Sequence, residues 1–74
     1  MKKIPHSWRK LPIKTRLNVP VNYFNIPEKE VDKIRKIKDG RKRLIEAARL
    51  QYELFNDIHT DLTAWIAGYV SDSV

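Results

Sequence analysis

Four cations, Lys38, Arg41, Lys42 and Arg43, flank Gly40 within six residues, and only Asp39 offsets them locally. The chemistry such a cluster offers is the gripping of an anion. If a turn there opens a helix, its first N–H groups and the three following cations converge on a site suited to phosphate or carboxylate. Gripping is not catalysis, and the rest of the reactive inventory is thin. Asp57, His59 and Asp61 alternate, so on a helix they point to different faces and cannot chelate together. His59 falls beside an apolar row, where a lone imidazole reads as a packed, hydrogen-bonded residue rather than a ligand or base. The chain has no Cys, which excludes a disulfide scaffold, a zinc finger and thiol chemistry. No phosphate-binding glycine loop, dinucleotide fingerprint or nucleophile elbow is present. No catalytic residue, metal, cofactor or small-molecule substrate is expected, and the chain is read as non-enzymatic.

A second basic set lies in the N-terminal arm. Lys2, Lys3, Arg9, Lys10, Lys14 and Arg16 precede Pro27 without one acid among them. Trp8, beside Arg9 and Lys10, could stack on an unpaired base with the cations on phosphates. The stronger reading makes it a hydrophobic anchor pinning the arm onto helices. Residues before Ile13 otherwise carry little of the core pattern. Over the first 43 residues, fourteen basic against four acidic residues leave +10, and the remaining 31 carry −4, for a total of +6. A chain so polarised speaks to its partners more than to its fold. The favoured expectation is a small basic nucleic-acid-binding protein, a regulator or accessory factor acting as a dimer. The alternative is a protein-binding module or inhibitor that docks its apolar helix face and basic arm on an acidic protein surface. By analogy, small proteins of phage or plasmid type take either role.

Seventy-four residues make one domain, whose core is marginal without a partner or second copy. The start has no apolar region behind Lys2 and Lys3, and the uncharged run Leu62 to Ser71 is too short to span a bilayer. A cytoplasmic chain without membrane contact is expected.

The elements that must position these residues are mainly α. Residues 1–26 read as an extended basic arm, because Pro5, Pro12, Pro20 and Pro27 recur every seven or eight residues. A helical domain over 27–74 follows. Its first helix, about 27–38, is capped by Asn25 with Glu28 in a capping box and carries Val31, Ile34 and Ile37 on one face. A turn at 39–40 places Gly40 in the left-handed position. A long amphipathic helix, about 41–70, carries Leu44, Ala48, Gln51, Phe55, Ile58, Leu62, Trp65 and Tyr69 at 4-3 spacing, with Ile45, Tyr52 and Ile66 widening the stripe. Asn56 to Thr60 is the place where it would break. Hairpin or small bundle, this stripe exceeds what one chain can cover. Phe55, Ile58, Leu62, Trp65, Ile66 and Tyr69 are therefore the expected interface of a homo-oligomer.

One segment permits another architecture. Ile13 to Val19 alternates strictly, with Ile13, Thr15, Leu17 and Val19 on one side and Lys14, Arg16 and Asn18 on the other, as in a half-buried strand. A basic alternating strand, a helix, a Gly-containing turn and a second helix resemble the order of elements in ribbon-helix-helix DNA-binding proteins. The resemblance implies a dimer whose paired strands enter the major groove with Lys14, Arg16 and Asn18.

Overall fold

The computed structural model describes residues 6–69. A short 3-10 turn, His6–Lys10, precedes four helices: α1 Ile13–Asn22, α2 Glu28–Arg35, α3 Gly40–Phe55 and α4 Thr60–Ile66. The mainly helical expectation holds. The described residues contain no strand, so the ribbon alternative falls, and Ile13–Asn22 is neither strand nor extended arm.

A lone strand would leave its backbone groups without a ladder, whereas a helix satisfies them internally. The face that α1 buries is Arg16, Val19 and Pro20, spaced i, i+3, i+4. Pro20 removes one intrahelical bond, but it is fully buried and sits in the last turn of α1. That end is closed by the Tyr23 and Phe24 N–H groups on the Val19 carbonyl and by the Ile26 N–H on the Pro20 carbonyl, 2.9 Å away. This return contact draws Ile26 into the core and leaves Asn25 at φ 55. The expected capping box is therefore not formed: α2 starts at Glu28 behind Pro27, with no side-chain cap. Glu28 and Glu30 in its first turn and Lys33 and Arg35 in its last complement the helix dipole instead.

Gly40 is also placed differently from expectation. It is the first residue of α3, and the Asp39 carboxylate caps it by accepting the Arg41 N–H at 3.0 Å. The long amphipathic helix breaks where its propensity is weakest. Asn56 ends α3 in the left-handed conformation, φ 57, which Asn tolerates better than most residues. His59 then caps α4, its Nδ1 accepting the Asp61 N–H.

That break decides where the stripe goes. α4 turns back along α3, so that Leu62, Trp65 and Ile66 enter the chain's own core with Val19, Phe24, Ile26, Val31, Ile34, Ala47 and Ala67. Burying each of the three larger α4 side chains is worth about 1.5–3 kcal/mol. Gln51, fully buried, holds the hairpin: its amide NH2 donates to the Thr63 hydroxyl and the Ala47 carbonyl, and its Oε1 accepts the His59 N–H. α2 also lies back along α3. Glu30 and Lys33 share a groove with Arg49 and Glu53, and Ile37 shares it with Lys42.

Trp8 is partly buried against this core, 5.1 Å from the Tyr23 ring and edge-on to Phe24 at 6.1 Å. Phe24 in turn meets Phe55 edge-on at 6.2 Å. The anchor reading of Trp8 fits this packing, and the segment before Ile13 contributes more to the core than its pattern suggests.

Candidate anion-binding site

The α2–α3 turn, residues 36–39, is held from inside by Arg43. Its Nη1 donates to the Ile37 carbonyl at 2.6 Å and to the Lys38 carbonyl at 3.2 Å. Its Nη2 donates to the Tyr69 hydroxyl at 2.6 Å, with the guanidinium 4.9 Å from the Tyr69 ring centre. The Tyr69 hydroxyl lies against Gly40, where a Cβ would collide with it. Arg43 thus braces the turn and is committed to it. Lys38, Arg41 and Lys42 are exposed around this brace. Asp39, the one acid in the segment, is turned to the α3 N-terminus. The arrangement is a fixed turn that presents Lys38, Arg41 and Lys42, with exposed Lys36 at its start, and can bind an anion by charge.

The remaining expected contacts are scattered. Lys10, Lys14 and Asn18 are exposed. Lys14 and Asn18 stand one turn apart on α1, while Arg16, two positions from each, faces inward. Arg16 is buried, and its Nε donates to the Leu11 carbonyl at 3.0 Å. The three are therefore not one reading face. Lys2, Lys3 and the Arg9 side chain lie outside the described residues. Of the expected interface, Leu62, Trp65 and Ile66 are internal, Phe55 is half-buried, and Ile58 and Tyr69 are exposed.

Sequence reasoning missed Arg35. From the end of α2 its guanidinium reaches two other helices, Nη2 donating to the Leu17 carbonyl at 2.6 Å and the Trp65 carbonyl at 2.8 Å, and Nε to the Ile66 carbonyl at 3.3 Å. Burial lowers its pKa from the ordinary arginine value, and Asp32, one turn before it, opposes the shift. The acceptors on Trp65 and Ile66 are C-terminal carbonyls of α4, beyond the reach of its i+4 ladder; the Trp65 carbonyl also accepts the Gly68 N–H at 3.1 Å.

Among the described residues no group of three or more His, Cys, Asp or Glu could hold a metal ion, and no helix is long and apolar enough to cross a membrane. No family model, curated protein or solved structure matches the chain.

Proposed function

We propose that the chain is a non-enzymatic binding protein that grips the phosphate backbone of nucleic acid through Lys38, Arg41 and Lys42. The observation that carries this reading is the division of labour at the α2–α3 turn. Arg43 and Asp39 are spent on holding the turn, while Lys38, Arg41 and Lys42, with Lys36 beside them, stay exposed. Contacts of this kind supply affinity and orientation but little sequence preference. Exposed Lys10 and Lys14 extend the positive charge along the chain.

Binding of labelled duplex and single-stranded DNA, followed by anisotropy across a salt series, tests it. With three duplex-phosphate contacts the slope of log K against log salt is roughly −2.7. Replacing Lys38, Arg41 and Lys42 by Gln should remove most of that slope and weaken every sequence alike. Salt-independent binding, or a triple variant that binds like the wild type, would refute the reading.

A second reading has an observation of its own. The α2–α3 groove beside the cluster carries Glu30, Glu46 and Glu53 among its cations, a mixed lining unsuited to a long polyanion. A short acidic patch on another protein would avoid those carboxylates. On that reading the triple variant loses a protein partner and leaves weak nucleic-acid binding unchanged.

A further inference from the structure

The geometry points to the outer face of α3 as a pairing surface for a second copy of this chain, antiparallel, with a two-fold axis near Ala48. Leu44, Ile45, Ala48 and Tyr52 fall within about 100° of one another around α3 at 100° per residue. Leu44 is 40% exposed, and Ile45 and Tyr52 are each 57% exposed. Ala48 is half-buried. Apolar residues at i, i+3 and i+7 are the pattern one helix offers another. This face shares no residue with the expected interface further along the chain, half of which the core has absorbed.

Charge selects the occupant. Exposed Lys38, Arg41 and Lys42 stand just before α3 and in its first turn, and exposed Glu53 and Asp57 in its last turn and just past its cap; Lys42 and Glu53 lie on the α2 side of the stripe, where they also line the α2–α3 groove. Between them Arg49 is paired with Glu46 at 3.6 Å. A polyanion or acidic helix lying along the whole face would meet Glu53 and Asp57 at one end. A basic helix would meet three cations at the other. An antiparallel copy meets the opposite sign at both ends, and its helix dipole is also opposed. A parallel copy would set like charge on like. Ala48, the smallest of the four apolar residues, lies near the crossing, where a short side chain lets two backbones approach. Three cations against two acids leave net positive charge at each end of the pair, so the pairing goes beyond the proposed anion binding and does not depend on it.

The contact is short. Sixteen residues of α3 span about 24 Å at 1.5 Å per residue. That buries less than the roughly 800 Å² per partner of a standard interface, so the dimer should be weak, with a Kd on the order of 10–100 μM.

Sedimentation velocity of the wild-type chain from about 10 μM to about 1 mM, bracketing that Kd, should show a concentration-dependent dimer. Ile45→Glu lies on an exposed site and should keep the wild-type circular-dichroism melt while remaining monomeric. Two charge variants then test the ends: Arg41→Glu with Lys42→Glu, and Glu53→Lys with Asp57→Lys. Each alone should self-associate about ten-fold more weakly, and an equimolar mixture should recover pairing. Orientation is read from thiols, which the natural chain lacks. Chains carrying Ile45→Cys should cross-link to chains carrying Tyr52→Cys more readily than to themselves. A wild-type chain still monomeric at about 1 mM, roughly ten-fold above the weakest expected Kd, overturns the pairing surface. So does an Ile45→Glu variant that dimerises normally. Failure of the mixture to recover, or preferential 45–45 cross-linking, overturns the antiparallel arrangement.

Discussion

Arg35 offers the sharpest test of how this fold is held. Arg35→Met keeps the aliphatic stem that packs 3.4–3.8 Å from the Cβ position of Gly68 but removes every donor. Two short bonds, to the Leu17 and Trp65 carbonyls, and one longer bond, to Ile66, are lost together. Hydrogen bonds to a charged group contribute about 1.5–3 kcal/mol each. The guanidinium is only half-buried, so the low end applies, and the two short bonds give about 3 kcal/mol. A domain of this size is stable by only about 4–11 kcal/mol, at 0.05–0.15 kcal/mol per residue. The loss is therefore a large share of the whole. It corresponds to a Tm fall of roughly 12–24 °C, taking 4–8 °C per kcal/mol for a small domain. Arg35→Lys retains the charge but cannot fork between α1 and α4, and should lose about half as much. Urea unfolding followed by tryptophan fluorescence measures both, because Trp65 is buried beside the site. If Arg35→Met costs less than about 0.5 kcal/mol, the level of an ordinary surface change, the clamp is not what joins these helices.

Three further outcomes follow from named contacts. Gly40→Ala should gain helix propensity, though less than the roughly 1 kcal/mol of a helix interior because Gly40 opens α3, yet come out destabilised, because its Cβ meets the Tyr69 hydroxyl. In the Tyr69→Phe background the same change should be neutral or stabilising, and thermal melts of the four proteins in the cycle measure that coupling. Asn56→Ala should cost about 1 kcal/mol for forcing a side chain without Asn's tolerance into φ 57, while Asn56→Gly should cost nothing, both by chemical denaturation. Trp8→Ala should destabilise by about 1–3 kcal/mol by removing the ring between Tyr23 and Phe24. An unchanged melt for that variant would return the segment before Ile13 to the role of a solvated tail.

The parts of this fold legible in the sequence are those set by local chemistry. The 4-3 run of apolar residues in the second half and the weak Asn56 to Thr60 stretch locate α3, the break and α4. Val31 and Ile34 mark the inner face of α2. What escaped is settled by distant partners. α1 hides its helical face because two of the three residues that form it are Arg16 and Pro20, which a hydrophobic-period reading skips. The alternation of Ile13, Thr15, Leu17 and Val19 then reads as a strand. Gln51 counts as the polar exception in an apolar row, but it is fully buried because Thr63 and His59, eight to twelve residues on, satisfy its amide. Arg35 reads as an ordinary cation in the last turn of a surface helix until α4 brings two carbonyl groups to it. In the candidate site the cluster of cations was legible, but the division between brace and grip was not.

That division recurs through the molecule and limits what net charge says about function. Arg16, Arg35 and Arg43 each donate to backbone carbonyls at a helix end or a turn. The planar fork of arginine suits this task, since one cation can satisfy several acceptors whose directions differ. These three charges are consumed by the fold. The cations left exposed between Lys10 and Arg49 are mostly lysines, compact and strongly hydrated, together with Arg41 and Arg49. Lysine binds phosphate as a point charge without bidentate geometry. A surface of that composition is suited to hold a polyanion by its field and poorly suited to read base edges. The strong salt dependence and weak sequence preference of the proposed nucleic-acid binding therefore follow from how the fold spends its arginines, not from the count of +6 alone.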